Sequence, residues 1–174
     1  TAKITGAEVT VLHVVFPNEG VDNNVYNVFW SDEYMAERTK GLTNWTRRFQ
    51  RQKDFQGISV RSECVIGFPV PSICDWADKY KADVIIMGTT GATGLGGVFL
   101  GSIAAGVLSK THRPVLAIPK KASLKNGANA VFATDFRFKV NEHDLQILRE
   151  FLEMKKSKIH FVHIIDKPGE QPDK

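Results

Sequence analysis

With 174 residues, 43% hydrophobic and 24% charged, the chain is long enough for one packed domain but short for two, and its composition excludes a disordered protein. The net charge of +4 is dispersed, Arg47, Arg48, Arg51 and Lys53 being the one tight group, so no nucleic-acid partner is expected. Cys64 and Cys74 lack the spacing and companion histidines of a metal site, and no segment reaches the ~18 apolar residues of a membrane span or reads as a signal peptide; the expectation is a cytoplasmic protein with no resident metal and no membrane partner.

The first element expected is a buried strand over 8–15, "EVTVLHVV", from its β-branched apolar run. Residues 16–30 are irregular. Ser31 reads as an N-cap, with Asp32 and Glu33 suited to a first helical turn, and Leu42, Trp45 and Phe49 continue a helical stripe in which Gly41 is a weak point. Ile58, Val60, Ser62 and Cys64 alternate with polar residues, the pattern of a strand near a sheet edge. Pro71 marks a helix start, followed by Ile73, Cys74, Ala77 and Tyr80 at helical spacing. Asp83 to Met87 predicts a strand covered on both faces. A helix is expected from Ser102 to Thr111, burying Ile103, Ala104, Val107 and Leu108, then a strand from Pro114 to Ile118. Residues 120–129 read as a linker. Beyond it come a strand "AVFAT", a helix from Asn141 to Lys156, a strand "KIHFVHII" and a loose tail. Strands alternating with helices imply an α/β domain with a mainly parallel sheet.

The last strand repeats the first. Val9 to Val15 aligns without a gap on Ile159 to Ile165, about 150 residues later, a domain length. Tandem copies of one fold would explain this, the chain running from late in copy one (1–119) to early in copy two (130–174), with neither end of the longer protein present. His160 and His163 point to opposite faces of a strand, so His13 and His163 read as structural residues rather than ligands.

The stretch "MGTTGATGLGGVFLGS" at 87–102 carries the chemistry. Gly91 and Gly96 have Walker A spacing, but Gly97 and Val98 stand where lysine and a hydroxyl are needed. Gly94 and Gly96 begin a dinucleotide fingerprint, but Phe99 occupies the third glycine's place. The spacing that remains is Gly88, two residues, Gly91, nine residues, Gly101-Ser102. A glycine ending a strand admits a ligand to the backbone, and a Gly-Ser helix start offers free N–H groups and a hydroxyl to an anion.

This pattern resembles the universal stress protein family, whose nucleotide-binding members carry G-x2-G-x9-G-[S/T]. The likeness runs through "ADVIIMGTTGATGLGGVFLGSIAAGVLSKTHRPVLAIPK", with Gly94, Leu100, Ala104, Val107, Pro114, Val115 and Pro119 on family positions. "GAEVTVLHVV" is similar to the family's second strand and "VFATDF" to its first. The resemblance implies an open, parallel five-stranded sheet with helices on both faces. It also implies an ATP or AMP cofactor with magnesium. Gly88, Gly91, Gly101 and Ser102 would surround phosphates and ribose, Met87 and Ile103 would flank them, and the Val14 backbone would meet adenine. Thr134 and Asp135 would contact ribose, but from copy two. Pairing through the 114–118 strand, as a homodimer or an intramolecular pseudo-dimer, is implied as well.

Thr90, Ala92 and Ala133 depart from the family's usual histidine, cation and proline. The family's sheet runs 3-2-1-4-5, so copy one lacks its central strand. The "AVFATDF" strand could fill that slot in a circularly permuted domain, a linker of ten residues reaching ~33 Å. No catalytic set is evident: Ser102 has no base in the sequence and reads as a helix cap, so any ATP hydrolysis would be slow. The function implied is an adenine-nucleotide-binding stress-response switch; the alternative is a non-nucleotide-binding tandem module that works through protein pairing.

Overall fold

Five of the seven residues of β1 (Val9–Val15) are β-branched, and the strand ends on Val15, which is fully buried. The computed structural model describes residues 2–16, 32–89, 100–122, 127–134 and 141–163. They divide into two compact units, Thr1–Lys120 and Lys121–Lys174.

In the first unit a short α1 (Ala2–Thr5) precedes β1. The 19-residue α2 (Asp32–Gln50) runs through Gly41 without a break, Asp32 and Glu33 in its first turn and Arg47 and Arg48 in its last, both favourable to the helix dipole. A single 3-10 turn at Lys53–Phe55, which the sequence did not announce, lets Phe49 pack edge-on against Phe55 at 5.7 Å. Next come β2 (Val60–Ile66), α3 (Pro69–Lys79), β3 (Ile85–Gly88), α4 (Ser102–Lys110) and β4 (Val115–Ile118). α3 starts at Pro69 rather than Pro71, because Pro69 takes the first helical position, where a missing N–H costs nothing.

All pairings are parallel. β1 pairs with β2, Val9 opposite Val60 through Val15 opposite Ile66, and β3 pairs with β4, Ile85 opposite Val115 through Gly88 opposite Ile118. Among the described residues these remain two separate two-stranded sheets rather than one sheet of five. The core lies under α3 and α4, where Cys74, Ala77, Ala104 and Val107 are buried with Val15. Two expectations of burial fail here. Ile103 and Leu108 are 43% and 44% exposed, since α4 turns its Ala104–Val107 stripe to the core. Ile86 is 59% exposed, so among the described residues β3 is covered on one face only.

In the second unit β5 (Asn129–Ala133) and β6 (Lys158–Val162) pair in parallel, Asn129 opposite Lys158, with α5 (Glu142–Met154) connecting them. β5 therefore finds its partner in β6. None of the described residues of this unit is buried.

Candidate functional site

Hydrogen-bond phase decides which backbone groups are available. In a parallel pair, alternate residues direct both their main-chain groups to the neighbour. Val9 N–H donates to Ser59 O at 2.9 Å and Gly67 N–H donates to Val15 O at 3.1 Å, so the odd-numbered residues of β1 face β2. Thr10, Leu12 and Val14 turn their N–H and C=O to the other edge, which is unpaired among the described residues. Likewise Ile85 N–H donates to Pro114 O at 2.8 Å, leaving Ile86 and Gly88 with their groups on the free edge of β3.

β1 and β3 each keep one edge unpaired among the described residues, and parallel α/β structures bind ligands at the carboxyl ends of their strands. Val14 lies at the carboxyl end of β1; Met87 and Gly88 end β3.

α4 opens at the same end of β3. Gly101 is its N-cap (φ −60°, ψ 152°) and makes no side-chain cap bond. Its N–H donates to Thr89 O at 2.6 Å and its carbonyl accepts from Ala105 N–H at 2.9 Å. Ser102 is thus the first helical residue, not the cap that the sequence suggested. The N–H groups of Ser102, Ile103 and Ala104 have no acceptor among the described residues, and both Ser102 and Ile103 are exposed. Three aimed donors, a hydroxyl and the positive end of a nine-residue helix can together hold an anion.

Of the sequence-derived set, Val14, Met87, Gly88, Gly101, Ser102 and Ile103 fall in the first unit at these strand and helix ends. Gly91 and Asp135 lie outside the described residues. Thr134 belongs to the second unit, where its N–H donates to Val162 O at 3.1 Å and its carbonyl lies 2.8 Å from His163 Nδ1. That bond gives His163 the structural role the sequence assigned it.

A feature the sequence did not disclose is a groove of about 850 Å³ between β1 and α2. Val11, Leu12 and His13 line it from the strand; Tyr34, Arg38, Gly41 and Trp45 line it from the helix. It contains none of the residues named above for the nucleotide.

The sequence profile of the universal stress protein family matches residues 1–119. The chain belongs to that family. Universal stress protein MJ0577 of Methanocaldococcus jannaschii is 27% identical over 128 residues, covering 67% of this chain and 79% of that protein. MJ0531 of the same organism is 39% identical over 74 residues, 42% of this chain and 44% of its own length, so this chain spans under half of that relative. Among solved structures, MJ0577 superposes with a TM-score of 0.53 at 30% identity, covering 67% of this chain and 78% of that one. The hypothetical protein PH0823 gives 0.55 at 26%, with the same coverage. A universal stress protein of Pseudomonas aeruginosa reaches 0.59 at 15% identity, covering 93% of this chain and 52% of that one, a likeness of fold. For the family member described here, no helix among the described residues is long and apolar enough to cross a membrane.

Proposed function

We propose that this chain binds an adenine nucleotide, ATP or AMP, and serves as a stress-response switch. The observation that carries the reading is the presence of two features at the carboxyl ends of β1 and β3. Val14 and Gly88 leave main-chain donors and acceptors on open edges, and the α4 N-terminus beside Gly88 is uncapped. Val14 offers an N–H and a C=O to a purine edge. Gly88, Gly101 and Ser102 receive phosphate, Met87 and Ile103 flank the sugar, and Gly91 belongs to the same set by its spacing. Thr134 and Asp135 serve the corresponding site of a second copy of the fold. Magnesium suits this arrangement only as an ion held largely by the phosphates and water, with the Ser102 hydroxyl as the protein donor. In a longer tandem protein of the cytoplasm the same unit would work alongside its second copy.

A second reading is favoured by β4. Its outer edge carries the main-chain groups of Val115 and Ala117, unpaired among the described residues, and suits pairing with a like strand, as a homodimer or pseudo-dimer.

The deciding experiment is to heat the purified chain and resolve the released small molecules by anion exchange against adenine nucleotides. ATP or AMP near one per chain is the expected result. An empty profile, with no heat on titration of either nucleotide, removes the first reading and leaves the second.

A further inference from the structure

The phosphate end of the candidate site is short of charge. Residues 84–109, which carry β3 and nearly all of α4, contain no Asp, Glu, Lys, Arg or His. The charged residues that bracket this run stand at the far ends of its elements. Asp83 precedes β3, and Lys110 closes α4, about 12 Å from Ser102 at helical rise. A helix N-terminus offers about half an elementary charge. A phosphate monoester brings about −1.5 to −2 at neutral pH, more than that terminus offsets.

A cation reaches this end from β4. Gly88 lies opposite Ile118 in the parallel register. Thr89 continues the pairing: its N–H donates to Ile118 O at 3.2 Å, and its carbonyl accepts from Gly101 N–H at 2.6 Å. One main-chain bridge thus ties the end of β4, through Thr89, to the N-cap of α4. Lys120 stands two residues beyond Ile118, at most about 7 Å further along the chain. Pro119 lies between them, and its fixed φ narrows the directions in which the chain can leave β4. Of Lys110, Arg113 and Lys120, only Lys120 follows the carboxyl end of β4; Arg113 precedes that strand and is held by Asp78 at 2.9 Å. Lys120 is exposed and makes no ion pair among the described residues. Its ammonium is a compact charge with three donors on a flexible four-carbon stem, a form of cation that binds phosphate as a point charge.

We propose that Lys120 is a phosphate-binding residue of this site, its ammonium closing on the phosphate held by the Ser102, Ile103 and Ala104 N–H groups. This role rests on the nucleotide reading above. It gives a neutral loop and helix start the one positive side chain they lack, from the neighbouring strand.

Calorimetric titration with ATP and AMP, at low and at high potassium chloride, tests this on the wild-type chain and on Lys120→Gln, Lys120→Arg and Lys110→Gln. Both lysines are exposed, so urea midpoints should stay at the wild-type value and show that the variants fold. Lys120→Gln is expected to bind both nucleotides roughly tenfold more weakly. Lys120→Arg should keep most of the affinity, and Lys110→Gln should stay within about twofold of wild type, being a Debye length or more away. Added salt should weaken the wild type more than Lys120→Gln. Equal nucleotide binding by wild type and Lys120→Gln overturns the role of Lys120 and leaves the nucleotide reading standing. A loss that Lys110→Gln reproduces also overturns it, since net charge alone would then be acting. Failure of both nucleotides to bind the wild-type chain removes the nucleotide reading itself, and this proposal with it.

Discussion

Gly106 on α4 leaves no room for a side chain against α3: a Cβ there would lie 2.7 Å from Val70 Cγ2 and 3.2 Å from its Cγ1. Valine is stiff at χ1, so it cannot swing clear, and the helix pair must separate to admit even a methyl group. Gly106→Ala gains up to ~1 kcal/mol of helix propensity but incurs ~1–3 kcal/mol of overpacking. Net destabilisation is expected, read as a lower urea midpoint. Val70→Ala should relieve it, so that the double variant is more stable than the sum of the single losses implies. Simple additivity would mean the two residues do not meet.

Ser102 separates binding from stability. Because Gly101 is the N-cap and no side chain caps α4, Ser102→Ala removes no cap bond. Its unfolding midpoint should move little, by less than ~0.5 kcal/mol. If the hydroxyl serves a phosphate, losing one hydrogen bond of ~1–1.5 kcal/mol weakens nucleotide binding roughly tenfold by calorimetry. Equal binding by wild type and variant would take Ser102 out of the site.

Periodicity in the sequence carried most of the elements. The runs that became β1, β2, β4, β5 and β6 were legible because β-branched residues cluster between polar breaks, and α4 was placed within a residue at either end. What escaped has physical causes. The 3-10 turn at Lys53–Phe55 is too short for any period. Pro71 drew the start of α3 away from Pro69, since either proline is tolerated in a first turn. Exposure of Ile86 and Ile103 reflects which faces lack a covering element, and one strand's composition cannot say that. At the candidate site the glycine and serine spacing was readable, whereas the open edge phase of Val14 and Gly88 depends on pairing register. The groove over β1 joins a strand to a helix, so no local pattern marks it.

Asn141 caps α5, its side-chain oxygen accepting from His143 N–H at 2.9 Å, with Glu142 and Asp144 in the first turn. Asn141→Ala should cost ~1 kcal/mol, confined to the second unit. Hydrogen exchange resolves this where a global midpoint would blur it. The first-turn amides of α5 should exchange about fivefold faster, while those of α4 stay unchanged. Asn141→Asp should restore protection.

Cys74 and Cys64 should differ as thiols. Cys74 is 8% exposed, and burial, reinforced by Asp75 and Asp78 on the same helix, pushes its pKa up. Cys64 is only half-buried. Alkylation of the native chain near pH 8 should therefore label Cys64 first, Cys74 following at the rate of unfolding. The sign for stability follows from the same shift. Above its ordinary pKa the unfolded thiol gives up a proton that the folded one keeps, so the folded state binds more protons and stability falls as pH rises through that window. Cys74→Ala should flatten the alkaline limb of a midpoint-against-pH curve while lowering the whole curve for the lost packing. Equal labelling of both thiols in the folded chain would place Cys74 at the surface and contradict the α3–α4 core.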